Sequence, residues 1–277
     1  MVHKHSPSGL SIAIQNTLAF KKDAAPLIDK LSPAEFTIKI ANTLKEREAV
    51  FQLAYQVYLE KGYVKENPYQ WLVQDYDRQA DTTIFIVKDR TGAIAGTATL
   101  VFNDSSKLPI EKTFNNEIKS LSQDGAKITE VSRLVINPSY RNSKEILVLL
   151  FNYMFIYGYH VKNFDMVAIQ VNPRHKNYYK KLLNFDERGE EKLCASVQNA
   201  PASLLYMPLV NYQTEVKRCH QSNSQEHSSR SLYSYFIKPE QENLVSYYLK
   251  NQAKEISADE KTYFGFSETT FGRAVCV

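Results

Sequence analysis

A chain of 277 residues, 43% apolar and 23% charged, suffices for one large globular domain or one domain with appendages. Its net charge of +4 at pH 7 is too small to require a nucleic-acid partner. Three scattered cysteines, Cys194, Cys219 and Cys276, give neither a disulfide framework nor metal spacing, which points to a reducing, cytoplasmic setting and no metal.

The first residues carry no long apolar run with a cleavage site, so no signal peptide is expected. Residues 1–34 form a weakly patterned lead-in with an amphipathic piece at 10–20 and a turn near Pro26. Alternation from Phe36 predicts a first strand, and Thr43 with Glu46 a capping box opening a helix that Gly62 ends. Residues 64–71 are irregular and aromatic, with Pro68 excluding regular structure. Two β-rich runs over 82–102 flank a turn at 89–92, the clearest hairpin in the chain.

A helix over 111–121 leads into the run 127–138, where Ile128, Val131, Leu134, Val135 and Ile136 predict a buried strand stopped by Asn137 and Pro138. Glu130 and Arg133 lie inside it. Two charges in a buried strand cost several kcal/mol, on the order of 3–5, unless they pair or serve a site. They read either as an ion pair at the strand's edge or as a positioned base with a cation that holds an anion. The apolar run 146–161 is shorter than the roughly 20 residues of a membrane span and contains Asn152, Tyr153, Tyr157 and His160, so a core helix is expected. A strand at 166–171, a helix at 173–183 with proline in its first turn, and a final pair near 188–194 and 202–209 complete this part. The aromatic helix, with Phe151 and Phe155, reads as plain core or as the lining of an apolar pocket. Residues 220–231 form a polar linker, 240–256 an amphipathic helix, and 262–271 an aromatic end that packs over the domain, covers a pocket or binds a partner.

Strand, short cationic loop and helix is how a phosphate meets a helix N-terminus. Here the chain resembles the GNAT-type N-acyltransferases, over about 36–210. The resemblance implies an α+β fold with a mixed central sheet of about six or seven strands flanked by helices, followed by an extension over 211–277. In that family the loop after the fourth strand grips the pyrophosphate arm of an acyl carrier with R-x-x-G-x-G/A. Arg141 matches its start, while Lys144 and Ile146 replace glycines and would keep the backbone from closing around a pyrophosphate. A single phosphate, as on the phosphopantetheine arm of acyl carrier protein, is less demanding. Arg141, Asn142, Ser143 and Lys144 are therefore the expected phosphopantetheine contacts. The segment 172–185, with Asn172, Tyr178 and Tyr179, resembles the family's second cofactor segment.

Two branches are closer still, the acyl-homoserine lactone synthases and the FeeM-type long-chain N-acyl amino acid synthases. Both carry E-x-S-R on the fourth strand, matched by Glu130 to Arg133, and tend to carry D-x-D, matched by Asp75 and Asp77. Lactone synthases have an arginine four residues before an aromatic of the first helix, where this chain has Ala54 before Tyr58. They have another arginine in the third strand, where Thr99 stands. These departures favour acylation of an amino acid or similar amine over lactone formation. Tyr58, Asp75, Asp77 and Thr99 are then expected on the substrate side. The resemblance implies Glu130 as general base, with Arg133 binding the acceptor carboxylate or the carrier phosphate. Backbone N–H groups of Leu134, Val135 and Ile136 would hold the oxyanion if the strand splays. Acyl carrier protein, or acyl-CoA, is the implied donor, and Arg174, Lys176, Lys180 and Lys181 are the expected docking patch, or else an ordinary solvated helix face. Peripheral membrane contact, acetyl transfer from acetyl-CoA and a catalytically silent carrier-binding module stay open at this point.

Overall fold

The computed structural model describes residues 35–104, 107–221 and 231–266. The amphipathic piece at 10–20, the turn near Pro26, most of the polar linker and Phe271 lie outside them. The described chain starts with β1 (Phe36–Ile40) and α1 (Leu44–Glu60). Thr43 caps α1 by accepting the Glu46 N–H, but the reciprocal bond of the expected capping box is absent. The Glu46 carboxylate instead accepts from the Asn42 N–H, Lys39 and Lys88. Burial alone would raise its carboxyl, yet these donors bring it down to about 2. Gly62, at φ +68, ends the helix as expected.

β2 (Thr83–Asp89) and β3 (Ile94–Phe102) form the hairpin, its turn closed by Asp89 accepting from the Thr91 and Ala93 N–H groups. Then come α2 (Glu111–Leu121), β4 (Ile128–Ile136), α3 (Lys144–Ile156), β5 (Met166–Val171) and α4 (Pro173–Leu183). The expected helix over 146–161 starts two residues earlier and changes character at its end, where Tyr157–Val161 widens into a π turn. The strand expected near 188–194 is broken by Gly189 at φ +76 into β6 (Asp186–Glu187) and β7 (Lys192–Cys194), both paired with β8 (Ala200–Pro208). The sheet therefore has eight strands, in the order β1-β2-β3-β4-β5-β8-β6 with β7 on β8. Only β4 and β5 pair in parallel among the described strands.

Among the described residues three more helices follow, α5 (Leu209–Gln221), α6 (Pro239–Gln252) and α7 (Ala258–Tyr263). The helix expected over 240–256 ends at Gln252, because Ala253 leaves helical geometry. Tyr212, Val216, Tyr233, Phe236, Val245 and Leu249 join the main core under α3. Ile256, Phe264 and Phe266 join the smaller core between the sheet and α1. The aromatic stripe of α3 is core: Phe151 packs on Tyr179, and Phe155 on Phe185, Tyr212 and Phe236. Those contacts place that face of the helix in the core.

Ile146 stands at the second of the two missing glycines, but its side chain turns inward and is fully buried. Its Cγ2 lies 2.5 Å from where a Cβ on Gly96 would sit, so the β-branched residue on α3 and the bare backbone on β3 fit only together. Gly96→Ala should cost about 1–3 kcal/mol, as overpacking does. Ile146→Leu, which removes the branch at Cβ, should recover most of that loss in urea denaturation.

Candidate active site

β4 is irregular where the site residues lie. It pairs with β5 only from Ile128↔Met166 to Val131↔Ile169; beyond that β5 pairs with β8, and β4 with β3. The two strands part after Val131. On the β3 side the register slips between Thr97 and Thr99, so that β4 carries one extra residue there. Arg133, at φ +45, takes up that bulge. A left-handed arginine costs about 1–3 kcal/mol and persists only when its surroundings fix it. Because strand N–H groups alternate in direction, some of those on Ser132 to Ile136 face the gap, the region that includes Leu134, Val135 and Ile136.

The surroundings of Arg133 are explicit. Its two terminal nitrogens donate to both oxygens of Asp77, each at 2.7 Å, and also to Leu72 O and the Thr99 hydroxyl. Phe51 and Tyr76 lie against the guanidinium, with ring centres 4.9 and 5.5 Å away. Burial opposes the charge, but Asp77 outweighs it and raises the guanidinium's affinity for its proton. The anion that Arg133 holds is therefore Asp77. A bidentate grip on a substrate carboxylate or a carrier phosphate would require giving up that pair. Asp77 also accepts the Gln74 N–H, fixing the short 3-10 turn Asp75–Arg78. Asp77 and Thr99, expected on the substrate side, meet Arg133 in one buried network. Ala54 packs nearby against the α1 face of β4.

Glu130 has no such cation. It is 4% exposed, and one carboxylate oxygen accepts the Ile110 N–H at 2.7 Å. Burial pushes its carboxyl up to about 8; the Ile110 N–H opposes the rise, Glu111 adds to it and Lys112 opposes it. Pro109 and Glu111, on either side of Ile110, line an open pocket of about 310 Å³ with Asp75, Tyr76, Lys107 and Lys112. Asp75 is half exposed and pairs with Lys112 at 3.4 Å. Tyr58 keeps its proton, because burial pushes its phenol up to about 12 while Arg133 opposes the rise.

The other side of the gap is cationic. Ser143 makes no side-chain cap to α3, so the first N–H groups of that helix lack this partner. Arg141 pairs with Glu60 at 2.7 Å in an exposed contact, and the Lys144 ammonium sits 3.7 Å from the Tyr235 ring centre. Asn142 is exposed. Asn172 spends its side chain on capping α4, Tyr178 is 37% exposed and Tyr179 packs on Phe151. The expected docking patch is only partly available: Lys176 pairs with Glu187 and Glu191, and Lys180 with Glu187, because β6 and its turn bring those acids under α4. Arg174 and Lys181 remain exposed. Sequence reading missed Lys61. Burial, then Arg174 and Arg141, lower its ammonium's affinity for its proton; burial, Arg174 and Lys61 do the same to His175. These groups come from three separate elements, so no local motif signals their meeting.

The family model described as "N-acyl amino acid synthase FeeM" matches residues 49–208, more than half of the chain. The chain belongs to that family. Among solved structures, FeeM, an N-acyl amino acid synthase from uncultured soil microbes, superposes with a TM-score of 0.56 at 21% identity, covering 65% of this chain and 93% of that one. An acyl-CoA N-acyltransferase from Pseudomonas aeruginosa gives 0.45 at 17% identity over 62% and 97% of the two chains. The CoA-dependent acyl-homoserine lactone synthase BjaI, solved with SAM and isopentyl-CoA, gives 0.48 at 14% over 63% and 83%. At 21% identity the likeness to FeeM establishes the GNAT-type fold alone, and the other two carry no argument. No curated protein matches by sequence. As a member of the FeeM family the chain is an N-acyltransferase. No described helix is long and apolar enough to cross a membrane, and no metal-binding cluster occurs among the described residues.

Proposed function

We propose that this FeeM-family protein moves a long-chain acyl group from a phosphopantetheine thioester, carried by acyl carrier protein, to the amino group of an amino acid. The observation that carries the reading is Glu130, a buried carboxyl pushed up to about 8 at the level where β4 and β5 part. A base of that strength takes a proton from an ammonium or an attacking amine far better than an ordinary carboxylate. The acceptor nitrogen attacks the thioester carbonyl carbon and its proton passes to Glu130. Freed N–H groups among Leu134, Val135 and Ile136 receive the developing oxyanion. The C–S bond then breaks and the thiolate leaves, taking up the proton held by Glu130 and returning the carboxylate for the next turnover.

The pocket lined by Pro109 and Glu111, on either side of the Ile110 that bonds Glu130, suits a zwitterionic acceptor: Lys107 offers a cation for a carboxylate, Glu111 an acid for an ammonium, and the exposed Lys112–Asp75 pair can open to either. On the donor side, the uncapped start of α3, Arg141, Ser143 and Lys144 suit one phosphate. Of the two missing glycines, only Lys144 still argues against a pyrophosphate, since Ile146 faces the core. Lys61, Arg174 and Lys181 replace the neutralised Lys176 and Lys180 as the docking cations for an acidic carrier protein.

Mass spectrometry of lipids from cells expressing the protein, beside Glu130→Gln, tests the reaction. Long-chain N-acyl amino acids that vanish in the variant support it; acyl-homoserine lactones or acetylated amines would replace it. Reversing charge at Lys61 and Arg174 together should raise KM for the carrier-bound thioester on the order of tenfold at low salt and leave the acyl-CoA thioester much less affected. Steady-state kinetics at two ionic strengths checks this.

A further inference from the structure

The family match ends at residue 208, yet the segment after it reaches the network that holds Arg133. Phe264, 8% exposed, meets Phe51 edge-on with ring centres 4.9 Å apart, and Phe51 is the ring lying against the Arg133 guanidinium. Phe264 and Tyr263 also contact Trp71, each at 5.4 Å. Trp71 precedes Leu72, whose N–H donates to Phe51 O and whose carbonyl accepts from Arg133. Ile256 and Phe266 complete the same apolar cluster. Polar bonds pin the segment to α1: Arg47 pairs with Glu260 and donates to Lys254 O, and Tyr263 donates to Glu48. Ser257 and Glu260 close a capping box that starts α7 at this spot.

A strained arginine on a bulge must be over-determined by its neighbours. Three of those neighbours, Leu72, Asp77 and Tyr76, belong to the segment between α1 and β2, whose one regular element is the short 3-10 turn Asp75–Arg78. That segment has few regular backbone bonds of its own, so packing must hold it.

We infer that residues 253–266 are a clamp for the acceptor side of the active site, with Phe264 a positioning residue that seats Trp71 and Phe51 so that Leu72 and Asp77 meet Arg133. The inference rests on the acyl-transfer reading only for its catalytic consequence.

Trp71 is the sole tryptophan, so its emission reports the clamp directly. In the full-length protein, Phe264→Ala should shift that emission to the red and speed amide exchange at Leu72 by about tenfold. Phe264→Leu, which keeps an apolar plug, should recover most of both. Val216→Ala, a core truncation in α5 outside this cluster, controls for general destabilisation and should change neither. With a palmitoyl thioester and the common amino acids as probes, Phe264→Ala should raise KM for the amino acid severalfold and leave KM for the thioester unchanged. Unaltered Trp71 emission and Leu72 exchange in Phe264→Ala, or equal changes in Val216→Ala, would overturn the clamp. So would a rise in thioester KM alone. If the wild-type protein acylates no amino acid, the acyl-transfer reading fails while emission and exchange still decide the clamp.

Discussion

Glu130→Gln is expected to make the protein more stable and nearly inactive at once. Glutamine keeps an oxygen to accept the Ile110 N–H, so the local geometry survives. What changes is the cost of ionisation. The folded carboxyl titrates near 8 against an ordinary value of 4.5, so below pH 4.5 both folded and unfolded forms are protonated and the residue is neutral to stability. As pH rises from 4.5 to 8 the unfolded chain ionises first, and stability is lost progressively. At pH 7 the loss is about 3 kcal/mol, and it is complete above 8. Glutamine removes that slope. Denaturant unfolding at pH 5 and pH 8 should therefore give similar stabilities for the two proteins at the lower pH and a clear advantage for the variant at the higher. Turnover should fall by ~10²–10⁴, the usual contribution of a general base. A group that destabilises the fold yet is needed for rate is the pattern expected of a functional residue. A Glu130 without a catalytic role would show the same gain in stability with turnover unchanged, so the fall in rate decides between the two.

The second large effect concerns the pair that Glu130 lacks. Asp77→Ala leaves the Arg133 guanidinium buried with its counter-charge gone, and should cost about 3–5 kcal/mol. Arg133→Met strands Asp77 in the same way. Replacing both, Asp77→Leu with Arg133→Met, should cost much less than the sum, with a coupling of about 2–3 kcal/mol in a double-mutant cycle. Activity should not return with stability, because the bulge that sets the β4 gap also loses the bonds Arg133 donates to Leu72 O and the Thr99 hydroxyl. Circular dichroism melts with parallel activity assays separate the two effects.

Much of the fold was legible because its signals are local. The boundaries of α2 and α4 follow from periodicity, capping and Pro173, and the β2–β3 hairpin from Asp89 to Gly92. Two charges in an apolar strand drew attention to β4, and the structure shows both of them buried there. Their partners were less legible. Arg133 looks like a ligand-binding cation in sequence, and only the fold brings Asp77 to it from 56 residues away. The basic run on α4 looked available until Glu187 and Glu191 folded under it. Lys61 was invisible because nothing in its own segment announces Arg141 or Arg174. Ile146 was misjudged for the opposite reason: a motif position suggested the phosphate loop, whereas Gly96 had already made room for it in the core. Strand register and side-chain direction decide such cases, and neither is a property of one segment.

The most direct measurement is the pH dependence of thiol release from a long-chain acyl thioester by the purified protein with an amino acid acceptor, compared with Glu130→Gln. A buried base pushed up to about 8 predicts that kcat/KM climbs through a single ionisation near that pH, and that this step is missing from the residual rate of the variant. Wild type and variant sharing one profile, set by the amine's own ionisation, would contradict a base at Glu130.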